Sequence, residues 1–127
     1  MSIVYRLQDG AGRGPWKPGF SKHWVISRPD HANLLPWTAQ VTREQLNEWF
    51  RKYRHLGCAC QTVADLRRWF IEREYRILLS LGYDAVSLPI DEVLWSDGTQ
   101  IVFGRGRPLN YRAVPFVLYG NDFKEIA

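Results

Sequence analysis

A glycine cluster followed at once by two prolines constrains this chain more than any other feature. Gly10-Ala-Gly12-Arg-Gly14 begins two residues beyond Ile3-Val4-Tyr5-Arg6-Leu7, whose alternation reads as a short first strand. A dinucleotide-binding turn needs G-x-G-x-x-G between a strand and a helix, so that a pyrophosphate meets the helix N-terminus. Here the spacing is G-x-G-x-G, and Pro15-Trp-Lys-Pro18 blocks an immediate helix. No Gly-Lys-Ser/Thr follows, which excludes the P-loop as well. Residues 8–40 are therefore expected to be loop-rich, with at most a brief strand at Trp24-Val-Ile26.

Two readings of the glycine loop stand side by side. With Arg6, Arg13 and Lys17 around it, the loop has the backbone N–H groups and cations to grip a phosphate. Alternatively it is a surface loop that uses glycine for positive φ. Trp16, Phe20 and Trp24 favour function, because such a loop needs three large aromatics only if they pack under it or stack on a ligand.

The middle of the chain is helical. Thr42-Arg-Glu-Gln45 fits a capping box, and Leu46, Trp49, Phe50 and Tyr53 follow as one apolar stripe, with Gly57 as the stop. Thr62-Val-Ala-Asp65 starts a second helix that buries Leu66, Trp69 and Phe70, and a third runs from about Glu72 to Leu81 and closes at Gly82. Gly57 to Gln61 suits a short buried strand. Beyond Gly82 the period changes to two: Ala85–Ile90 with Pro89 at an edge or end, then Thr99–Phe103 after the turn Asp97-Gly98, then Phe116–Tyr119. The order predicts an α+β fold, with about three helices on a small mixed or antiparallel sheet.

At 127 residues, without an internal linker or repeat, the chain fits a single domain over 1–127. No apolar run approaches the ~18 residues that span a bilayer, and the first residues lack a signal peptide's apolar stretch. A soluble cytoplasmic protein with no membrane partner is the expectation. Formal net charge is +4, and thirteen of seventeen basic residues are arginine, an excess compatible with a nucleic-acid or other acidic partner but too small to demand one. Arg51, Lys52, Arg54 and His55, then Arg67, Arg68, Arg73 and Arg76, form helical basic faces; with Glu72 and Glu74 between them, such faces ordinarily meet water.

Hydrolytic motifs are missing: there is no Gly-x-Ser-x-Gly elbow and no Cys–His spacing. Asp91, Glu92 and Asp97 could serve acid–base chemistry if buried, yet a solvated turn explains them more simply. The two cysteines, Cys58 and Cys60, lie two apart on a strand, too close for an unstrained disulfide. With three scattered histidines they suggest no metal site, and buried free thiols are the expectation.

Three short stretches together resemble the ADP-ribosyltransferase fold, the compact NAD-gripping architecture of bacterial toxins and some phage proteins. Tyr5-Arg6 on the first strand is similar to the family's first motif, whose arginine or histidine helps hold NAD. Gly57-Cys-Ala-Cys60 before a helix is similar to the second motif, which supports the nicotinamide pocket. Thr99–Phe103, after Gly82–Val86, resembles the third, where the catalytic glutamate position is occupied by Gln100. The resemblance implies NAD or a related nucleotide as ligand and substrate, held by Tyr5, Arg6, Arg13, Cys58 and Cys60, with Lys17 helping to close a mobile aromatic flap over residues 10–20. It implies Gln100 at the catalytic position, where an amide at best hydrogen-bonds a ribose hydroxyl. Transfer of ADP-ribose to a protein or nucleic-acid target is therefore left open.

The competing expectation is a non-catalytic inhibitor, bacterial or phage-encoded, that occludes a protein or nucleic-acid site. Trp16, Lys17 and Trp24 would be its partner-binding anchors on a basic, aromatic surface, tryptophan and arginine being favoured in that role. A cleft converging on Arg6, Cys58 and Gln100 separates the first reading from the second. The residues leave the oligomeric state open.

Overall fold

Alternation along the first strand sets the architecture. The computed structural model describes residues 2–16, 20–26 and 37–120. In it, β1 (Ser2–Asp9) turns Val4, Arg6 and Gln8 to one face and Tyr5 and Leu7 to the other. It pairs antiparallel with β3 (Tyr83–Ile90) along its whole length, from Ser2 opposite Ile90 to Asp9 opposite Tyr83. The short β6 (Val114–Phe116) adds to the far side of β3, giving the order β1-β3-β6. Pro89 is tolerated because β6 reaches only Ala85 to Ser87, leaving its far edge open.

A second antiparallel sheet has the order β2-β5-β4, from β2 (His55–Ala59), β5 (Ile101–Arg105) and β4 (Glu92–Ser96). The two sheets meet where Tyr5 and Cys60 exchange N–H···O bonds of 2.8 Å in both directions. Val4, Leu88 and Ile90 of the first sheet and Ala59, Ile101 and Phe103 of the second form one buried cluster. Burying each large member contributes about 1.5–3 kcal/mol.

Helices cover the other face of the first sheet. In α2 (Val63–Trp69), Thr62 Oγ1 accepts from Asp65 N at 3.1 Å, and the helix directs Leu66 and Trp69 inward. In α3 (Glu72–Ser80) the buried residues are Glu74, Tyr75 and Leu78, and Gly82 follows at φ +90°, a conformation that favours glycine. Leu66, Trp69, Tyr75 and Leu78 pack with Leu7, Tyr83 and Ala85. The capping box of α1 (Arg43–Lys52) is formed: Thr42 Oγ1 accepts from Gln45 N at 3.1 Å, and Gln45 Oε1 accepts from Thr42 N at 2.9 Å.

The α+β expectation with an antiparallel arrangement and three helices is met among the described residues; the sheet is split in two. Other expectations are corrected. Trp24–Ile26 is not a strand: a 3-10 turn at Ser21–His23 precedes Trp24, whose indole Nε1 donates to Pro15 O at 3.2 Å. Phe50 is 57% exposed, because α1 buries Trp49 and points Phe50 away. Glu74 does not meet water. It is fully buried, accepting from Ile26 N at 3.0 Å and Ile71 N at 3.1 Å, which ties residues 24–26 to the start of α3. Gly57 stops no helix; α1 ends five residues earlier, at Lys52, and Gly57 lies inside β2 opposite Phe103. Among the described residues no helix is long and apolar enough to cross a membrane.

Candidate functional site

The glycine loop is held in place by the residue that precedes it. Asp9 Oδ1 accepts from Ala11 N at 3.0 Å and Arg13 N at 2.9 Å, while Asp9 O accepts from Gly12 N at 2.9 Å. Gly12 sits at φ +88° against Leu109, and Asn110 Nδ2 donates to Gly10 O at 3.3 Å. Trp16 then packs on Trp24, ring centroids 4.6 Å apart, and against Trp69 and Phe70. Residues 10–16 of the expected flap form a hydrogen-bonded turn. Lys17 lies outside the described residues.

Between this turn, β1, β2 and the end of α2 opens a cavity of about 820 Å³. Its walls include Trp16, Trp37, Leu56, Leu66, Trp69 and Phe70, and its polar lining includes Arg6, Arg13, Thr38, Cys58 and Gln100. A volume of this size falls in the range of sites for small organic ligands.

Arg6 is the unusual member. It is only 5% exposed, and its guanidinium lies over the Phe103 ring, 5.7 Å from the centroid. Nη2 donates to Gly12 O at 3.3 Å, but Nε and Nη1 have no hydrogen-bond partner among the described residues. Two glycines make room for it. A Cβ on Gly57 would overlap Nη1 and the Phe103 ring, and one on Gly14 would come within 3.2 Å of Nη2. Burial pulls the Arg6 pKa below its ordinary value, and negative charge at Cys58 or Asp9 opposes that shift. Arginine nonetheless stays protonated in proteins. Nε and Nη1 are closed to solvent, and each unsatisfied buried donor costs about 1–3 kcal/mol.

Gln100 is buried and its amide is engaged: Nε2 donates to Asp97 Oδ2 at 3.1 Å. Asp97 also accepts from Gln40 Nε2 at 2.9 Å, Thr99 N at 2.8 Å and Gln100 N at 3.0 Å. Burial alone would raise the Asp97 carboxyl, but these bonds outweigh it and hold it well below the usual carboxylate range. Cys58 is half-buried on the cavity wall. Cys60 is 3% exposed, and burial, followed by charge at Cys58, Asp65 and Asp97, pushes its thiol far up.

The expected cleft residues Arg6, Arg13, Cys58, Cys60 and Gln100 do converge on one cavity. Tyr5 does not: strand alternation turns it to the helix side, edge-on to Phe116 at 5.7 Å. Trp24 is 1% exposed beneath Trp16, which removes it as a surface anchor; Trp16, 46% exposed, forms the rim. The acidic trio is dispersed. Asp91 accepts from Gly106 N, Glu92 accepts from Tyr53 Oη and pairs with Lys52, and Asp97 organises its turn. Several basic side chains are also engaged: Arg76 pairs with Glu72, and Arg67 Nε donates to Leu118 O. Sequence reasoning missed Gly14 and Gly57 as the space for Arg6, and Trp37 and Leu109 as walls. A glycine inside a strand was the available signal, since it marks a close approach. Among the described residues no group of three His, Cys, Asp or Glu side chains could hold a metal ion.

Fold and site together define a small α+β protein with a cavity that Arg6, Cys58 and Gln100 help to line. The family described as Bacteriophage T4 Y00F protein matches residues 1–116, and the chain belongs to that phage protein family. No curated protein and no solved structure matches it.

Proposed function

We propose that this phage protein binds a small anionic molecule with an aromatic or other flat apolar part, NAD or a related nucleotide being the class that suits the cavity best. The observation that carries the reading is Arg6: a buried guanidinium with Nε and Nη1 unpartnered, on the floor of an open cavity with tryptophan in its walls. A phosphate oxygen would supply an acceptor to a guanidinium short of them once the turn over it moves aside, since Nε and Nη1 are closed to solvent. An adenine or nicotinamide ring suits the apolar walls formed by Trp16, Trp69 and Phe70.

The reading stops at binding. ADP-ribose transfer calls for a carboxylate where Gln100 stands, and the Gln100 amide is committed to Asp97. An intracellular site of action goes with a nucleotide ligand. A role in occluding a partner has one observation on its side, the half-exposed Trp16, and loses Trp24.

Calorimetric titration with NAD, ATP and inorganic phosphate tests the reading. Binding by the wild-type chain that disappears in Arg6→Met, with the circular dichroism spectrum unchanged, supports it. No heat with any of the three, or equal affinity in the variant, overturns it.

A further inference from the structure

The turn after β5 carries more positive charge than its surroundings neutralise. Arg107 and Arg112 both lie against the ring of Tyr111, their guanidinium carbons 5.0 and 5.5 Å from its centroid. All three side chains are exposed, Tyr111 by 40%. Among the described residues neither arginine has an ion-pair or hydrogen-bond partner. Arg112 is held there at φ +58°, a conformation few residues other than glycine adopt.

A third arginine backs the pair from the core. Arg105 is buried; its Nη1 donates to Pro89 O at 3.1 Å and its Nη2 to Tyr111 O at 2.7 Å. These bonds tie the turn to β3, and within the turn Tyr111 N donates to Pro108 O at 3.0 Å. Arg105, Arg107, Tyr111 and Arg112 line one concavity of about 270 Å³, where Asp91 is the one acidic residue. Asp91 Oδ2 accepts from Gly106 N at 2.8 Å. Burial lowers the Arg105 pKa; the charge of Asp91 opposes that fall and the charge of Arg107 adds to it. Three guanidiniums against one carboxylate leave the concavity strongly cationic.

We propose that this turn is a docking site for single-stranded nucleic acid, with Arg107 and Arg112 on the phosphates of the strand and the open part of the Tyr111 ring under a base. Sites for whole small organic ligands take about 300–1,000 Å³, so this concavity suits a phosphate group and not a complete nucleotide. Guanidiniums on a backbone and an exposed ring under a base are the pairing by which single strands are held without sequence preference. A lone phosphate ion on exposed arginines is screened by water and salt, so affinity comes from successive phosphates of a strand. An acidic peptide meets the same charges but brings no base to Tyr111. The concavity shares no lining residue with the cavity that Arg6 lines, so the inference goes beyond the nucleotide reading and does not depend on it.

The test is the fluorescence anisotropy of a labelled oligodeoxythymidine strand titrated with the full chain, repeated at rising salt. The wild type should bind at low salt and weaken steeply as salt rises. Arg107→Gln/Arg112→Gln should bind roughly tenfold more weakly, with a shallower salt dependence. Tyr111→Leu should lose roughly fivefold or more with the salt dependence unchanged, as loss of a stacked base requires. Arg68→Gln/Arg73→Gln removes the same charge from α2 and α3 and should bind like the wild type. Polyglutamate at equal charge concentration should not displace the strand. No binding at low salt, equal losses in the two double variants, wild-type affinity in Tyr111→Leu, or displacement by polyglutamate each overturns the proposal. Strand binding that survives Arg6→Met while NAD gives no heat leaves this inference standing and removes the nucleotide; NAD binding without strand binding does the reverse.

Discussion

The guanidinium of Arg6 rests on the ring of Phe103, 5.7 Å from its centroid, and the strand residue opposite Phe103 is a glycine. The three are interdependent. Arg6 points toward the second sheet because β1 alternates, Phe103 faces it from β5, and Gly57 leaves the space where the guanidinium lies. Cation–ring contact offsets part of the cost of burying the charge. Nε and Nη1 have no hydrogen-bond partner among the described residues.

Gly57→Ala tests this arrangement without touching charge. The added methyl would overlap Arg6 Nη1 and the Phe103 ring. Overpacking of this kind costs about 1–3 kcal/mol, which should appear as a lower urea midpoint with an unchanged slope. Ligand affinity should fall by more than the stability loss explains, because Arg6 is the group displaced.

Arg6→Met should separate stability from function. Replacing a buried guanidinium that lacks partners by an apolar side chain of similar length removes its desolvation cost, as replacing buried ion pairs by apolar residues does. The lost bond to Gly12 O works against this gain. The variant should therefore melt at or above the wild-type temperature in calorimetry while losing anion binding. A variant markedly less stable than the wild type would make Arg6 a structural residue.

How far the site was legible in the sequence follows from the range of each interaction. The caps at Thr42 and Thr62 depend on residues three apart, so local pattern sufficed to place both helix starts. The strand that carries Arg6 is legible from its alternation, and the same alternation separates Tyr5 from the face of Arg6. What stayed hidden was long-range. Glu74 reads as one more charge on a solvated helix, yet it is buried because the backbone N–H of Ile26, 48 residues away, needs an acceptor. The division into two sheets hinges on one bridge between Tyr5 and Cys60, which no periodicity records. β4 escaped notice because all five of its residues are at least partly exposed, which weakens alternation.

Glu74 gives a direct test of that long-range tie. Glu74→Ala leaves the N–H groups of Ile26 and Ile71 without this acceptor, at about 1–3 kcal/mol each. A drop in unfolding free energy of roughly 3 kcal/mol is expected by urea titration, on the same grounds. Glu74→Gln keeps an acceptor oxygen and should fall between the two. Hydrogen exchange at Ile26 should accelerate in the alanine variant, which a purely global loss of stability would not single out.

Asp97 should place a pH signature on stability. Its folded pKa lies well below the ordinary value of 3.8, the hydrogen bonds from Gln40, Thr99 and Gln100 outweighing burial. The unfolded chain then binds more protons than the folded one as pH falls past 3.8. Asp97 therefore adds stability that is complete above that value and is lost as pH falls toward the folded pKa. In Asp97→Asn this contribution is gone at every pH. The unfolding free energies of wild type and variant should differ most near neutrality and converge in acid, below the unfolded pKa. The side chain is exposed, so solvent screening keeps the effect modest. The measurement is a set of urea titrations from neutral to acid pH; a constant gap between the two proteins throughout would mean that the Asp97 carboxylate charge contributes nothing. The same variant removes the acceptor that holds the Gln100 Nε2, which lines the cavity, so ligand affinity at neutral pH should weaken alongside stability.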